Sequence, residues 1–251
     1  MKTRREIRAA ARQAMANRRG VAILLPIVLV LVIIGMVLIP SIGMIISEIM
    51  DIFVLYVVFL VIYIIVLLFA DVLAVGFWGA YTKIYMDEEV GVGEIFSGYR
   101  KFGRNWLAIL WTAFMMLVWL VVMGLVLLAM YIVGYHVGLA FLPFLVLPVL
   151  YIFLIAKIYS YYYVYEVLHQ SENISPIQAL RASVRITKGH RWSMFVMGLS
   201  FIGWYILGLL TFGILLVVFV NPYFYTSITG HYVEMRKKAI ANSVITEEEL
   251  A

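Results

Sequence analysis

Long runs of apolar residues constrain this chain more than any other feature. Residues 21–39, 106–130 and 141–164 together contain a single charged side chain. A helix needs roughly 20 apolar residues to cross a hydrocarbon core of about 30 Å. The composition agrees, since 65% of the residues are apolar and 13% are charged, whereas a soluble domain carries about 25% charged residues. We therefore predict an all-α, polytopic helical membrane protein.

The apolar runs predict six transmembrane helices joined by short connectors. The second run is longer than a bilayer requires, so we expect it to tilt or bend, with Gly76 and Gly79 as the sites of the bend. A connector is predicted at 40–50, and the Asn221–Pro222 pair predicts a kink in the last span. The predicted spans are 21–39, 51–86, 106–130, 141–164, 192–207 and 214–232.

A basic amphipathic helix is best defined just before the fifth span. Ser175 is placed to cap it, Pro176 suits its first position and Gln178 completes a capping box. Gly189 supplies the left-handed residue that ends many helices. The residues expected to face inward are Ile177, Leu180 and Val184.

The same order of basic helix, glycine and apolar run occurs three times. Thr3 and Glu6 form a capping box in the first copy, and Trp192 follows Trp106 by 86 positions. We therefore predict a single membrane domain, 1–251, of three repeats, each an amphipathic helix on the cytoplasmic surface followed by a transmembrane hairpin. The approximate repeats are 1–91, 92–172 and 173–251, and the acidic tail 239–251 is expected to be disordered.

The basic residues fall on one side of this six-span topology. If Lys157 reaches the interface with its long side chain and is counted there, all 19 Lys and Arg residues lie on the predicted cytoplasmic side, and none lies in 40–51, 131–140 or 208–213. Positive loops remain in the cytoplasm, so both termini are predicted to be cytoplasmic. The three basic helices adjoin membrane spans, which fits anionic phospholipids better than nucleic acid. The expected headgroup contacts are Arg100, Lys101, Arg104, Arg181, Arg185 and Lys188.

Sequence signatures of enzymes are nearly absent. The chain has no cysteine, which excludes thiolate chemistry, and it has no nucleophile elbow or phosphate-binding loop. The Glu166–His169 spacing suits a di-iron bundle, but such a site needs a second copy and two further glutamates. We therefore predict no enzyme, no catalytic residue, no metal and no cofactor.

Three polar residues at membrane depth are the candidates for a functional site. Asp71 and Lys157 lie in the cytoplasmic halves of spans two and four, and Asn221 lies at the predicted kink. Buried charges and broken helices can line a transport path. Equally, Lys157 can reach the interface with its long stem, and Asp71 can pair with it if the two spans are neighbours.

Several segments resemble a family of uncharacterised bacterial polytopic membrane proteins that carries only a domain-of-unknown-function label. The matching segments are KTRREIR at 2–8, EIFSGY at 94–99, LRAS at 180–183, TKGHRW at 187–192 and LSFIGW at 199–204. The arrangement is distantly similar to the membrane domain of glycerophosphodiester phosphodiesterases. The resemblance implies a protein of the bacterial plasma membrane and transfers no site residues.

Two classes of function fit these features. One is transport or lipid handling through a polar path between the helices. The alternative is a membrane scaffold or accessory subunit, whose basic helices dock lipid headgroups or a cytoplasmic partner. In either class the expected partners are anionic membrane lipids, with a homo-oligomer or another membrane protein as further options.

Overall fold

The computed structural model describes residues 2–139 and 141–250, which form helices joined by short turns and contain no strand. The α-helices are α1 Arg4–Asn17, α2 Arg19–Ile49, α3 Phe53–Ala70, α4 Leu73–Tyr85, α5 Phe102–His136, α6 Leu142–Tyr161, α7 Val164–Gln170, α8 Pro176–Thr187, α9 Arg191–Leu199, α10 Ile202–Leu210, α11 Asn221–Ala241 and α12 Glu247–Leu250. A 3-10 helix spans Val92–Lys101, and a π-helix spans Leu216–Val220. The prediction of an all-α protein is confirmed.

Long apolar helices extend from a buried helical base. The base consists of α1, α4, the 3-10 helix, α7, α8 and most of α11, and it encloses Tyr81, Tyr163 and Tyr232. Outside it, large apolar side chains are exposed along the hairpins, up to Phe212, which is 99% exposed at a hairpin tip. Apolar surface on this scale is expected to face lipid.

Five helical stretches are long and apolar enough to cross a membrane. They are Arg19–Ile49, Phe53–Tyr85, Val92–His136, Leu142–Gln170 and Arg191–Leu210. The segment predicted as the sixth span differs, because much of α11 is buried against protein in the base. The sixth span therefore stays a prediction.

Each amphipathic segment packs against the base end of a hairpin. The 3-10 helix packs on α4, α8 packs on α6 and α7, and α1 packs on α11. At the centre, α4 contacts both α7 and α11, and the rings of Tyr163 and Tyr232 lie 5.1 Å apart. Much of the apolar face of each basic helix is thus covered by protein.

Local capping signals are confirmed. Thr3 and Glu6 form the predicted capping box of α1, and Ser175 and Gln178 form that of α8, with Pro176 in its first turn. Gly189 follows α8 with φ at +80°, the left-handed conformation that favours glycine. These signals involve residues close in the chain, so they act without help from the rest of the fold.

The connector predicted at 40–50 is wrong, because α2 continues through Pro40 to Ile49. The hydroxyls of Ser41 and Ser47 donate to the carbonyls of Val37 and Gly43, at 2.7 and 2.6 Å. In an apolar environment a helix satisfies its own backbone and its polar side chains, which favours continuation over a loop.

The bend predicted at Gly76 and Gly79 is also misplaced. Helix α3 ends at Ala70 and α4 begins at Leu73, so the break falls at Asp71. Both glycines lie inside α4, where they allow close packing instead. An added Cβ would come within 3.0 Å of the Ile95 carbonyl at Gly76, and equally close to the His169 ring at Gly79.

Two amphipathic segments and the tail differ in detail from what the sequence predicts. The segment 92–101 is a 3-10 helix, so the buried residues Ile95 and Gly98 recur every three positions. In α8, Leu180 is buried as predicted, whereas Ile177 is 42% exposed. The tail is ordered rather than disordered, since α12 begins at Glu247 and Leu250 is only 4% exposed.

Candidate functional site

A groove between α5, α6 and α8 is the largest cavity among those we describe. Its volume is about 680 Å³, within the usual range for sites that bind small molecules. We call it the α8 groove. Its lining residues are Trp111 and Met115 of α5, Tyr161 of α6, and Ile177, Leu180, Arg181, Val184 and Arg185 of α8.

Helix α8 sets the chemistry of one wall. Arg181 and Arg185 are four positions apart and therefore share one face of the helix. The opposite face is buried and anchors α8 to α6, because the Ser183 hydroxyl donates to the Ser160 carbonyl at 2.9 Å. The two guanidinium groups are thus carried by a helix held firmly against the span.

The opposite wall is apolar and belongs to the span itself. Trp111 is 37% exposed, and Met115, one turn later, has an adaptable side chain that suits irregular apolar ligands. The Trp119 indole donates to the Tyr161 hydroxyl at 3.4 Å, which positions Tyr161 at the groove. The site therefore combines an apolar wall with two cations at one side.

The acidic tail meets the cationic side of this groove. Arg185 donates to the Glu249 carboxylate at 3.1 Å and to the Val244 carbonyl at 3.4 Å. The hydrogen bond from Arg185 lowers the pKa of Glu249. Arg181 is exposed and forms no ion pair within residues 2–139 and 141–250.

Residues 1–239 match the model of a protein family described as a protein of unknown function (DUF975). The chain belongs to the DUF975 family. Neither the curated proteins nor the solved structures contain a match to this DUF975 protein. The family description names no activity, so the roles of its residues must be argued from geometry.

Arg104, predicted to contact a lipid headgroup, caps a helix of the DUF975 protein. Its guanidinium donates to the carbonyls of Leu168, Ser171 and Glu172 at the end of α7 and to the Asn105 side chain. The last carbonyls of a helix lack partners inside it, and a cation there is favoured by the helix dipole. Its five N–H donors are all used.

The other predicted headgroup contacts are divided between two environments. Lys101 donates to the Glu172 carbonyl beside Arg104, while Arg100 is exposed. Arg181 and Arg185 line the α8 groove, and Lys188 is exposed at the end of α8 without lining it. Lipid contact by these side chains stays a prediction, best supported for the two groove arginines.

The structure does not join the three polar residues predicted to form a path. Asp71 is exposed at the end of α3, and among the described residues no ion pair links it to Lys157. The Lys157 ammonium lies 3.6 Å from the centre of the Trp119 ring, an attractive cation–π geometry. Asn221 follows the π-helix and begins α11, with Pro222 in the first turn, and the kink predicted there stays a prediction.

Sequence reasoning missed the residues that form cavities. Trp111, Met115 and Tyr161 looked like ordinary span residues, because the groove exists only where α8 packs beside them. A cluster of Lys83, Glu94 and His169 was missed as well. Both Lys83 and His169 lie 2.9 Å from the same Glu94 oxygen, although the three residues come from separate segments.

Proposed function

We propose that this DUF975 protein is a non-enzymatic integral membrane protein that binds anionic phospholipid in the α8 groove and so serves lipid handling. The observation that carries the proposal is the composition of that groove. Trp111 and Met115 offer an apolar wall on a membrane span, and Arg181 and Arg185 stand at one side. An acyl chain and a phosphate group are the two parts of a phospholipid that match these surfaces.

The expected energies favour such a ligand. Each methylene removed from water contributes about 0.8 kcal/mol, and each cation near an anionic surface contributes about 1 kcal/mol. Arginine also binds phosphate oxygens through two parallel N–H groups, which adds geometric specificity. A soluble anion would gain the charge and hydrogen-bond contributions of the arginines but not the contribution of buried methylenes.

We also propose six spans in three repeats, with both termini in the cytoplasm of a bacterium. The one-sided Lys and Arg distribution supports the orientation. The three equivalent packings, of α1 on α11, the 3-10 helix on α4 and α8 on α7, support the repeats. In this proposal α10 returns through the π-helix into α11, and the bacterial plasma membrane follows from the family resemblance.

The experiment compares the lipids that remain bound to purified variants. The protein is exchanged into nanodiscs of phosphatidylcholine with a minor fraction of phosphatidylglycerol, then released and measured by native mass spectrometry. Arg181→Gln should lower retained phosphatidylglycerol, and Val184→Trp should lower it by filling the groove. Lys188→Gln is the matched control, since Lys188 lies on the same helix but outside the groove.

Three outcomes are distinguishable. Loss in Arg181→Gln and Val184→Trp but not in Lys188→Gln supports the proposal. Equal loss in Arg181→Gln and Lys188→Gln would mean that general surface charge, and not the groove, retains the lipid. Retention by all variants would refute the site.

A scaffold function is the second candidate, and one observation favours it. The apolar face of α1 is buried against protein, while Arg4, Arg5 and Arg12 are exposed. A charged helix presented in this way could dock an acidic partner. If Arg5→Gln and Arg12→Gln change the assembly state in native mass spectrometry while the lipid complement stays constant, the scaffold proposal gains over lipid handling.

A further inference from the structure

A second cavity, in the base, has a chemistry unlike that of the α8 groove. It lies between α4, the 3-10 helix, the start of α5 and α7, and its volume is about 270 Å³. We call it the basic cavity. The residues that matter for its chemistry are Lys83, Ser97, Arg100, Lys101, Arg104 and Ser171.

Two serines that line this cavity carry hydroxyl groups with no hydrogen-bond partner among the described residues. Ser171 is only 2% exposed, and its hydroxyl is unpaired within the described part of the chain. The Ser97 hydroxyl is buried and unpaired as well. A buried hydroxyl without a partner is costly, and such groups in native proteins generally meet water or a ligand. Both serines line the same cavity.

Positive charge exceeds negative charge around these hydroxyls. Lys83, Arg100, Lys101 and Arg104 line the cavity, against the carboxylates of Glu94 and Glu172. Glu94 is already held by Lys83 and His169. The N–H groups of Arg104 donate to carbonyls at the end of α7, but its positive charge remains beside the cavity. Lys83 and Lys101 each keep N–H groups beyond the one contact described for them.

The donors available here suit an anion with several acceptor oxygens. Two hydroxyls, two ammonium groups and the exposed guanidinium of Arg100 can all donate, and charge-assisted hydrogen bonds to oxyanions are the stronger kind. A metal is disfavoured by the excess of cations. The cavity is too polar for an acyl chain, and its size suits a small ligand group.

We propose that the basic cavity binds a phosphate group, held by the Ser97 and Ser171 hydroxyls together with Lys83, Lys101 and Arg100. The phosphate can come from a soluble phosphate ester or from the headgroup of a phospholipid, and the recognition chemistry is the same. This site involves none of the residues of the α8 groove, so it does not rest on the proposed lipid-handling function.

The test measures thermal stabilisation of the full chain in a neutral detergent. Inorganic phosphate and glycerol 3-phosphate are the soluble probes, sodium chloride at equal ionic strength is the salt control, and phosphatidic acid in mixed micelles is the lipid probe. The wild type should gain stability with at least one phosphate probe and not with chloride. Ser171→Ala should lower the affinity for that probe at least about fivefold, since it removes a hydrogen bond to a charged ligand.

Ser171→Ala also separates binding from folding. Without a ligand, the variant removes an unpaired buried hydroxyl, so its apparent Tm should equal or exceed that of the wild type. Arg100→Gln is the second variant, because an exposed side chain can be changed without disturbing the core, and it should weaken binding several-fold. Lys188→Gln, which is not part of the cavity lining, should bind like the wild type.

The outcomes decide both the site and the source of the phosphate. Stabilisation by soluble probes indicates a soluble ligand, and stabilisation by phosphatidic acid alone indicates a headgroup. If chloride stabilises as strongly as phosphate, if no probe stabilises, or if Ser171→Ala and Arg100→Gln both bind like the wild type, the cavity is only a structural ion-pair network and the proposal is overturned.

Discussion

Gly76 offers a test of how the 3-10 helix packs on α4. An added Cβ at this position would lie less than 3.0 Å from the backbone carbonyl oxygens of Glu94 and Ile95. Ordinary nonbonded separations are about 3.5 Å, so the two elements would have to move apart by more than about half an ångström. A backbone cannot rotate away as a side chain can.

The sign of the effect of Gly76→Ala distinguishes packing from helix propensity. In a free helix interior the change would stabilise by up to about 1 kcal/mol. Overpacking typically costs about 1–3 kcal/mol, and here Ile95 is fully buried at the same contact. We therefore expect a net loss of about 1–2 kcal/mol, which for a chain of this size lowers Tm by roughly 2–8 °C.

The assay is thermal unfolding in detergent, followed by the fluorescence of the six tryptophans at one scan rate. Gly124→Ala is the matched control, because Gly124 also lies inside a helix but no atom of the described residues lies within 4 Å of the added Cβ. The control should keep or slightly raise the apparent Tm. If Gly76→Ala behaves like Gly124→Ala, the close approach of α4 and the 3-10 helix is incorrect.

Three further predictions concern separate parts of the protein. Lys157→Met and Trp119→Leu should show non-additive losses of stability in a double-mutant cycle because the two side chains touch. The stability losses of Lys157→Met and Asp71→Asn should be additive. The reverse pattern would support the predicted ion pair between Asp71 and Lys157. In intact cells, a cysteine at His136 should react with an impermeant reagent from outside and one at Thr246 should not, and the opposite labelling would invert the proposed topology. Arg185 lowers the pKa of Glu249, so the docked tail should be favoured at pH values above the ordinary glutamate pKa of about 4.3 and lost as the pH falls through the lowered pKa. Hydrogen exchange of the tail amides should therefore rise in that pH range. The variant Glu249→Gln should show no such step.

The Arg185–Glu249 contact also bears on the proposed function. The carboxylate of Glu249 in the tail pairs with Arg185, one of the two groove arginines. A phosphate bound in the groove would contact the same guanidinium group. The pair is about two-fifths exposed on the Arg185 side, and exposed ion pairs contribute little stability. A phospholipid could therefore displace Glu249 at small cost, so the ordered tail is compatible with lipid entering the groove.

Local sequence patterns predict the helix caps of this protein but not the position of its helix break. Thr3–Glu6, Ser175–Gln178 and Gly189 acted as their spacing predicts, because capping involves residues within one helical turn. The position of the break in the second apolar run did not follow from its glycines. Gly76 and Gly79 were recognisable as small residues, but only the contacts with Ile95 and His169 explain why they must be small.

The candidate sites depended on the fold to a greater degree. Asp71 and Lys157 were predicted as site residues because of their depth in apolar runs. In the structure Asp71 is exposed, and the Lys157 ammonium lies over the ring of Trp119. Arg104 looked like a surface cation, yet it caps the end of α7. Charge and depth can be read along a chain, whereas the partner of a charge comes from a distant segment.

The sequence alone therefore determined the all-α class, the membrane-spanning character, the local caps and the one-sided charge, since each follows from composition or from neighbours along the chain. Tertiary structure alone decided which helix faces are covered, where the second run breaks and which residues line the α8 groove and the basic cavity. Trp111, Tyr161 and Arg181 meet only because α5, α6 and α8 pack together. Hydrophobic periodicity reports that a side chain avoids water, and it does not distinguish burial in protein from exposure to lipid.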